Sequence, residues 1–321
     1  MTGRCAEATL RPMSLVSLIK GRRGASGFGY ASTAMEVTAG LDLRGRNLLI
    51  TGVTSGLGLE TARVLAQRGA RIFGCARDAG RAAAALAPLG DGHVPLACEL
   101  AEPASVRACV DALAQRGERL HGLIANAGIM ALPRREVRHG HELQFLTNHL
   151  GHAILVLGAV GRDLLADDAR VVILSSSAHR RAPRSGIAFD DLSLERGYTP
   201  WGAYGQSKLA NLLFARALAR RFVGTRRTAN AVHPGVIFTN LGRHMGLAAR
   251  VLGPVASAIA LKSVHQGAAT QCYVAVHPSV ATRNGEYFAD CDVATSSALG
   301  RDPTLAERLY TLTETLLQQL P

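Results

Sequence analysis

Tyr204 and Lys208 stand four residues apart in the stretch Tyr204-Gly205-Gln206-Ser207-Lys208. On a helix that spacing puts a phenol and an ammonium on one face. A phenol with an ordinary pKa of ~10 is a poor base at neutral pH. A neighbouring ammonium, joined by a positive nicotinamide ring, lowers that pKa and makes Tyr204 a usable acid/base. Lysine is scarce in this chain: Lys20, Lys208 and Lys262 are the only ones, and arginine supplies the remaining positive charge. A lysine kept beside a tyrosine therefore suggests a need for a compact, rotatable ammonium. Ser176, at the end of an apolar run, can hydrogen-bond a substrate oxygen and stabilise its developing charge. Asn148 could hold a water that links Lys208 to solvent. Taken singly, these four have bland readings as a core tyrosine, a surface lysine, a strand-end serine and a helix asparagine; in this order they form a catalytic set.

A second motif lies roughly 150 residues upstream of Tyr204, in Thr51-Gly52-Val53-Thr54-Ser55-Gly56-Leu57-Gly58. It follows an apolar strand-like run and opens a helix-like one. Gly52 permits a tight turn, Gly56 lets backbone approach a pyrophosphate, and Gly58 allows helix and strand to pack closely. The free N–H groups and positive end of that helix suit phosphates, and Thr51 and Ser55 can add hydroxyl donors. An NAD site normally carries an acid about 20 residues on, to hold the ribose 2′-OH. Here the next strand ends Cys75-Ala76-Arg77. A guanidinium there suits a 2′-phosphate, which favours NADP(H) over NAD(H); the alternative is that Asp78 caps the next helix and Arg77 is surface. Glu99-Leu100 could hold the adenine amino group. In Ala125-Asn126-Ala127-Gly128, small residues let the chain pass under a cofactor while Asn126 ties neighbouring strands.

The elements that must position these residues alternate from Asn47 onward. Strands are predicted at 48–51, 70–76, 93–100, 122–126, 170–176, 228–233 and 286–289, and helices at 57–68, 79–86, 103–116, 139–165, 203–222, 265–276 and 303–319. This alternation predicts an α/β fold: a Rossmann-type, doubly wound, parallel seven-stranded sheet with helices on both faces, in a single domain. Residues 1–31, basic and rich in Gly and Ser, read as a flexible arm, with Met13 as a candidate start and residues 32–321 as the dinucleotide-binding domain. The long polar connection 178–201 reads as functional.

At this point the chain resembles the short-chain dehydrogenase/reductase family over residues 28–318, on the motifs Thr51–Gly58, Asn126-Ala127-Gly128, Asn148, Ser176, Tyr204 and Lys208. Within it the chain is most similar to the retinol dehydrogenase and WW-domain oxidoreductase branch and its bacterial relatives. That likeness rests on Ser32–Val37, Asn148-His149-Leu150-Gly151-His152, Ser175-Ser176-Ser177-Ala178-His179 and Glu286–Cys291. The resemblance implies that His233-Pro234-Gly235 flanks the nicotinamide, with Val236 and Thr239 near the carboxamide and phosphates. It also implies that Ser176 is the catalytic member of three consecutive serines, and that segment 178–201 borders the substrate pocket. Departures are Ala125 where the family has Asn, Glu99 where it has Asp, and a gap of 28 positions between Ser176 and Tyr204 (204 − 176).

Function follows as an expectation: an NADP(H)-dependent alcohol dehydrogenase or carbonyl reductase, acting on a small lipophilic alcohol or carbonyl compound in a pocket closed by 178–201 and 236–261. The other readings are a non-catalytic dinucleotide sensor on the same fold, a protochlorophyllide-type double-bond reductase, and an arm that binds anionic lipid. The formal net charge is +12, yet the arginines are scattered rather than striped, which argues against nucleic acid. Six cysteines show no CxxC pair and no metal-ligand spacing, and read as reduced cytoplasmic thiols. No transmembrane segment is expected; 247–261 is apolar but interrupted by Arg250, Gly253 and Pro254. A homo-oligomer packed through the helices of Asn148 and Tyr204 is expected from the family.

Overall fold

The computed structural model describes residues 21, 23–237 and 262–321. Strands β1 (Asn47–Thr51), β2 (Arg71–Ala76), β3 (Val94–Ala97), β4 (Leu120–Ala125), β7 (Leu165–Leu174), β8 (Thr228–His233), β9 (Tyr287–Ala289) and β10 (Asp292–Val293) form one sheet. Their order is β10-β9-β8-β7-β4-β1-β2-β3, parallel except for the terminal β10, which runs antiparallel to β9. The sheet thus has eight strands, one more than expected, because the two-residue β10 is too short to leave a periodic signal. A separate hairpin joins β5 (Val137–Arg138) to β6 (His141–Glu142).

Buried apolar runs such as Leu48-Leu49-Ile50 and Val171-Val172-Ile173 build strands covered on both faces. One face carries α1 (Ala34–Val37), α2 (Gly56–Gln67), α3 (Ala79–Leu86) and α7 (Val264–Val276). The other carries α4 (Pro103–Gln115), α5 (Leu143–Gly161), α6 (Pro200–Arg221) and α9 (Pro303–Gln319), with the short α8 (Ala298–Arg301) leading into α9. Helix α5 has the length and apolar composition of a membrane span, but 78% of its most apolar window is buried inside the fold.

Several boundaries differ from expectation by a few residues, most instructively at the two ends of α5. The expected start at His139 is the turn of the β5–β6 hairpin, with His139 at φ 50° and Gly140 at φ 78°, the left-handed pair that a two-residue hairpin needs. The helix starts instead at Leu143, where the Glu142 carboxylate caps it by accepting from the Phe145 N–H at 2.8 Å. It ends at Gly161, and Leu165 is already strand, paired with Leu120 before a register shift.

Of the expected arm, residues 23–31 lie against the fold. Phe28 meets the Tyr273 and His277 rings edge-on at 5.6 and 5.7 Å, and the Ala25 N–H donates to Asp292 at 2.7 Å. Helix α9 covers α5 and α6: Phe214 stacks on Tyr310 with centroids 5.7 Å apart, and His149 Nε2 lies 2.9 Å from Thr313 Oγ1. The C-terminal helix thus covers part of both α5 and α6.

Candidate active site

The carboxyl ends of β1, β2, β3, β4 and β7 border one cleft of about 340 Å³. It lies where strand order reverses between β1 and β4, the place where open α/β sheets receive ligands. Thr51, Gly52, Ser55, Gly56, Leu57, Gly58, Arg77, Glu99, Leu100, Asn126, Ala127, Gly128, Tyr204, Lys208 and Pro234 all line it. Asn148, fully buried, and Ser176, half-buried, do not line it. Gly235 and Val236 follow Pro234 without lining it, and Thr239 lies outside the described residues, as does most of the expected closing stretch 236–261.

The turn after β1 is tight. Gly52, at φ 75°, and Val53 both donate their N–H groups to the Cys75 carbonyl. A Cβ on Gly58 would fall 2.2 Å from the Gly52 carbonyl oxygen, so only glycine lets α2 start this close to the turn. Ser55 precedes α2 without capping it through its side chain. At the β2 end Asp78 is spent on capping α3, accepting from the Arg81 N–H at 2.8 Å. Arg77 and Arg81 both line the cleft. Sequence reasoning overlooked Arg81, although its place four after Arg77 on a helix start was available as a signal.

Around Thr51 the hydrogen bonds fix each proton. Its hydroxyl oxygen accepts from the Asn126 and Ala127 N–H groups, both at 2.9 Å. Its own hydrogen therefore goes to His152 Nε2 at 2.9 Å. His152 must then carry its proton on Nδ1, which donates to the Asn148 carbonyl at 3.0 Å. Burial holds His152 down to about 4, so the ring is neutral. Asn126 completes the tie between β4 and β1, donating from Nδ2 to the Thr51 carbonyl at 2.8 Å.

Asn148 lies in a π-helical turn, Leu146–Leu150, inside α5. Such turns shift a side chain out of α register and frequently sit at functional sites. Its Nδ2 donates to the Ile129 carbonyl and to Ser207 Oγ, both at 2.9 Å, and its Oδ1 accepts from the Ile129 N–H at 2.8 Å. Both amide hydrogens are thus committed.

Helix α6 carries Tyr204 and Lys208, both buried. Lys208 Nζ donates to the Leu174 carbonyl at 3.0 Å and lies 5.6 Å from the centre of the Tyr204 ring. Burial lowers the ammonium to about 8. Burial pushes the phenol up to about 12, and the hydrogen bond with Ser176 pulls the other way. Desolvation outweighs that hydrogen bond, so the net direction is upward.

The three serines divide clearly. Ser175 is buried and lines the cleft, but its hydroxyl donates to the Lys208 carbonyl at 2.7 Å. Ser176 meets Tyr204 and caps the following turn, accepting from the Ala178 N–H at 3.2 Å. Ser177 is exposed. Segment 178–201 then crosses α6 at Gly205, where a Cβ would come within 2.6 Å of the Ala182 nitrogen. Trp201 ends the segment edge-on to Tyr204, centroids 6.0 Å apart.

Comparison with known proteins agrees with this geometry. The family profile described as enoyl-(acyl carrier protein) reductase, adh_short_C2, matches residues 52–278. The short-chain dehydrogenase TIC 32 A, chloroplastic, of Brassica napus is 40% identical over 96% of this chain and 100% of its own length. Retinol dehydrogenase 14 of Mus musculus is 37% identical over 86% of each chain. Among solved structures, a protein from Mycobacterium paratuberculosis superposes with a TM-score of 0.71 at 33% identity, covering 92% of this chain and 99% of its own. A blue fluorescent protein from a metagenomic library, solved in complex with NADPH, gives 0.62 at 27% identity, covering 77% and 97%. The chain belongs to the short-chain dehydrogenase/reductase family of oxidoreductases.

Proposed function

We propose that this protein is an NADP(H)-dependent oxidoreductase that moves a hydride between nicotinamide and a lipophilic carbonyl or alcohol. The observation that carries the reading is the buried Tyr204 phenol, hydrogen-bonded to Ser176 and neighboured by Lys208, beside a cleft at the sheet's switch point. Residues of the Gly52–Gly58 turn and the start of α2 fit the pyrophosphate, whose charge the helix end favours. Arg77 and Arg81, with Asp78 withdrawn into a cap, fit a ribose 2′-phosphate. Glu99 and Leu100 suit the adenine, and Pro234, Gly235 and Val236 the nicotinamide. When bound, the cofactor supplies the hydride.

The chain's own groups handle the oxygen and the proton. In the reducing direction Ser176 and Tyr204 hold the carbonyl oxygen, and Tyr204 O–H gives it a proton. Lys208, lowered by burial to about 8, is a ready source to refill the phenol. Asn148, its amide hydrogens committed, offers oxygen lone pairs to a water that would connect Lys208 to solvent. A lipophilic substrate is favoured by exposed apolar surface beside the phenol: Trp201, 37% exposed, lies edge-on to Tyr204. The five described cysteines are free thiols, which suits a reducing compartment such as the cytoplasm.

The test is isotopic. NADPH deuterated at the transferable position is incubated with the protein and a panel of lipophilic aldehydes and ketones, with deuterated NADH as control. One deuterium on the carbinol carbon of a product alcohol, delivered preferentially from NADPH, is the expected result. Binding of NADPH with no deuterium in any product would favour the sensor instead.

A further inference from the structure

Cys75, Cys98 and Cys109 show no metal-ligand spacing in sequence, yet the fold brings them together. Cys75 is on β2, Cys98 follows the neighbouring β3, and Cys109 is on α4, which packs beside β3. Their Sγ atoms all lie within 4.8 Å of one another, and all three residues are at most 5% exposed. A single buried cysteine is explained as a small apolar side chain. Three that converge on one point are also a ligand set. Zinc–thiolate bonds of ~2.3 Å in a tetrahedron place sulfur atoms ~3.8 Å apart, so the trio needs to close by no more than about 1 Å.

Hydrogen bonds from Cys75 and Cys98 hold the Cys109 thiol well below the usual range, while the contact with Cys109, together with burial, pushes the other two up. Location adds a consequence: Cys75 and Cys98 line the cleft next to Ala76, Arg77, Glu99 and Leu100.

We propose that Cys75, Cys98 and Cys109 form a three-thiolate site for a thiophilic dication of the Zn²⁺/Cd²⁺ class, and that loading it opposes dinucleotide binding. Coordination releases the remaining thiol protons to solvent and leaves a fourth metal position for a water or another exogenous ligand. Drawing the three sulfurs inward shifts the ends of β2 and β3, which carry Arg77 and Glu99. The antagonism rests on our placing the adenosine half of the cofactor there; metal binding itself does not.

Cadmium titration of the full chain, kept reduced with a phosphine, reads the site through the ultraviolet thiolate-to-cadmium charge-transfer band. The band should saturate at one Cd²⁺ per chain. It should be lost in Cys98→Ala and in Cys109→Ala, each shown by thermal unfolding to be folded. Cys272→Ala, which alters a buried thiol on the opposite face of the sheet, should keep it. No saturation at one equivalent, or a band that survives both of the first two variants, overturns the site. A parallel titration follows NADPH fluorescence with and without saturating Cd²⁺. A tenfold or greater weakening is expected, and unchanged affinity overturns the antagonism. If metal-free protein binds no NADPH at all, the cofactor assignment fails, while the charge-transfer band still decides the site.

Discussion

At the scale of single residues, the account turns on where protons sit. Thr51, His152 and Asn148 form a chain of fixed polarity from the cofactor turn to the π-helical turn of α5. His152→Phe removes both bonds and leaves the Thr51 hydroxyl hydrogen buried without its acceptor. We expect turnover to fall about tenfold or more with little change in cofactor affinity; His152→Gln, which can still bond, should recover part of it. Steady-state kinetics beside NADPH fluorescence titration checks this, and an equal loss of both would refute a positioning role. Arg77 and Arg81 carry the cofactor choice. Replacing both by Ala should shrink the preference for NADPH over NADH by about tenfold to a hundredfold, or ~1.4 kcal/mol per tenfold, as measured by the ratio of kcat/KM values. Tyr204, Lys208 and the Gly52–Gly58 turn were legible in sequence because spacing alone carries their signal. Arg81, His152 and the three cysteines were not read, since the roles given to His152 and the cysteines depend on which strand ends and helices meet in space. The burial that raises the Tyr204 phenol was likewise not legible, because burial is a tertiary property.

Among the elements, close backbone approaches place the catalytic groups. α2 reaches the β1 turn only through Gly58, and segment 178–201 reaches α6 only through Gly205. Gly58→Ala should abolish NADPH binding and also cost stability, because its Cβ would meet the Gly52 carbonyl oxygen at 2.2 Å; fluorescence titration and thermal unfolding separate the two. Gly205→Ala should cost about 1–3 kcal/mol, the usual range for overpacking, and slow turnover by displacing Ser176, as read by urea unfolding beside kinetics. The type of the main elements was readable, from apolar runs for strands and caps such as Asp302 followed by Pro303 for α9. The ends of α5 were not. Its start is set by a hairpin turn at His139-Gly140, and its end by pairing of Leu165 with Leu120, a partner 45 residues away in the chain (165 − 120).

For the whole molecule, the excess of arginine has a structural use. Arg107, Arg119, Arg170, Arg216 and Arg227 donate to backbone carbonyls at helix ends and loops, where a planar fork meets several acceptors. That use spreads positive charge around the fold instead of gathering it in a stripe. Buried histidines set the acid limit of the fold. His149 and His152 are held neutral, down to about 3 and about 4, against ~6.5 in an unfolded chain. Between those values the unfolded state binds more protons, so stability present above pH ~6.5 is lost as pH falls through the folded values. Calorimetry from pH 7 to 4 should show the melting temperature falling across that window, less steeply in His152→Gln. A flat profile would mean that these rings are not buried as described.

The central claim is that this fold moves a hydride and that Tyr204 supplies the proton. The most direct test is NADPH consumption by wild type and Tyr204→Phe against the same lipophilic carbonyl, with cofactor affinity measured on both. We predict a loss of about 10²- to 10⁴-fold in turnover, the range for a general acid, with unchanged NADPH affinity. Tyr204→Phe turning over at the wild-type rate would contradict the account.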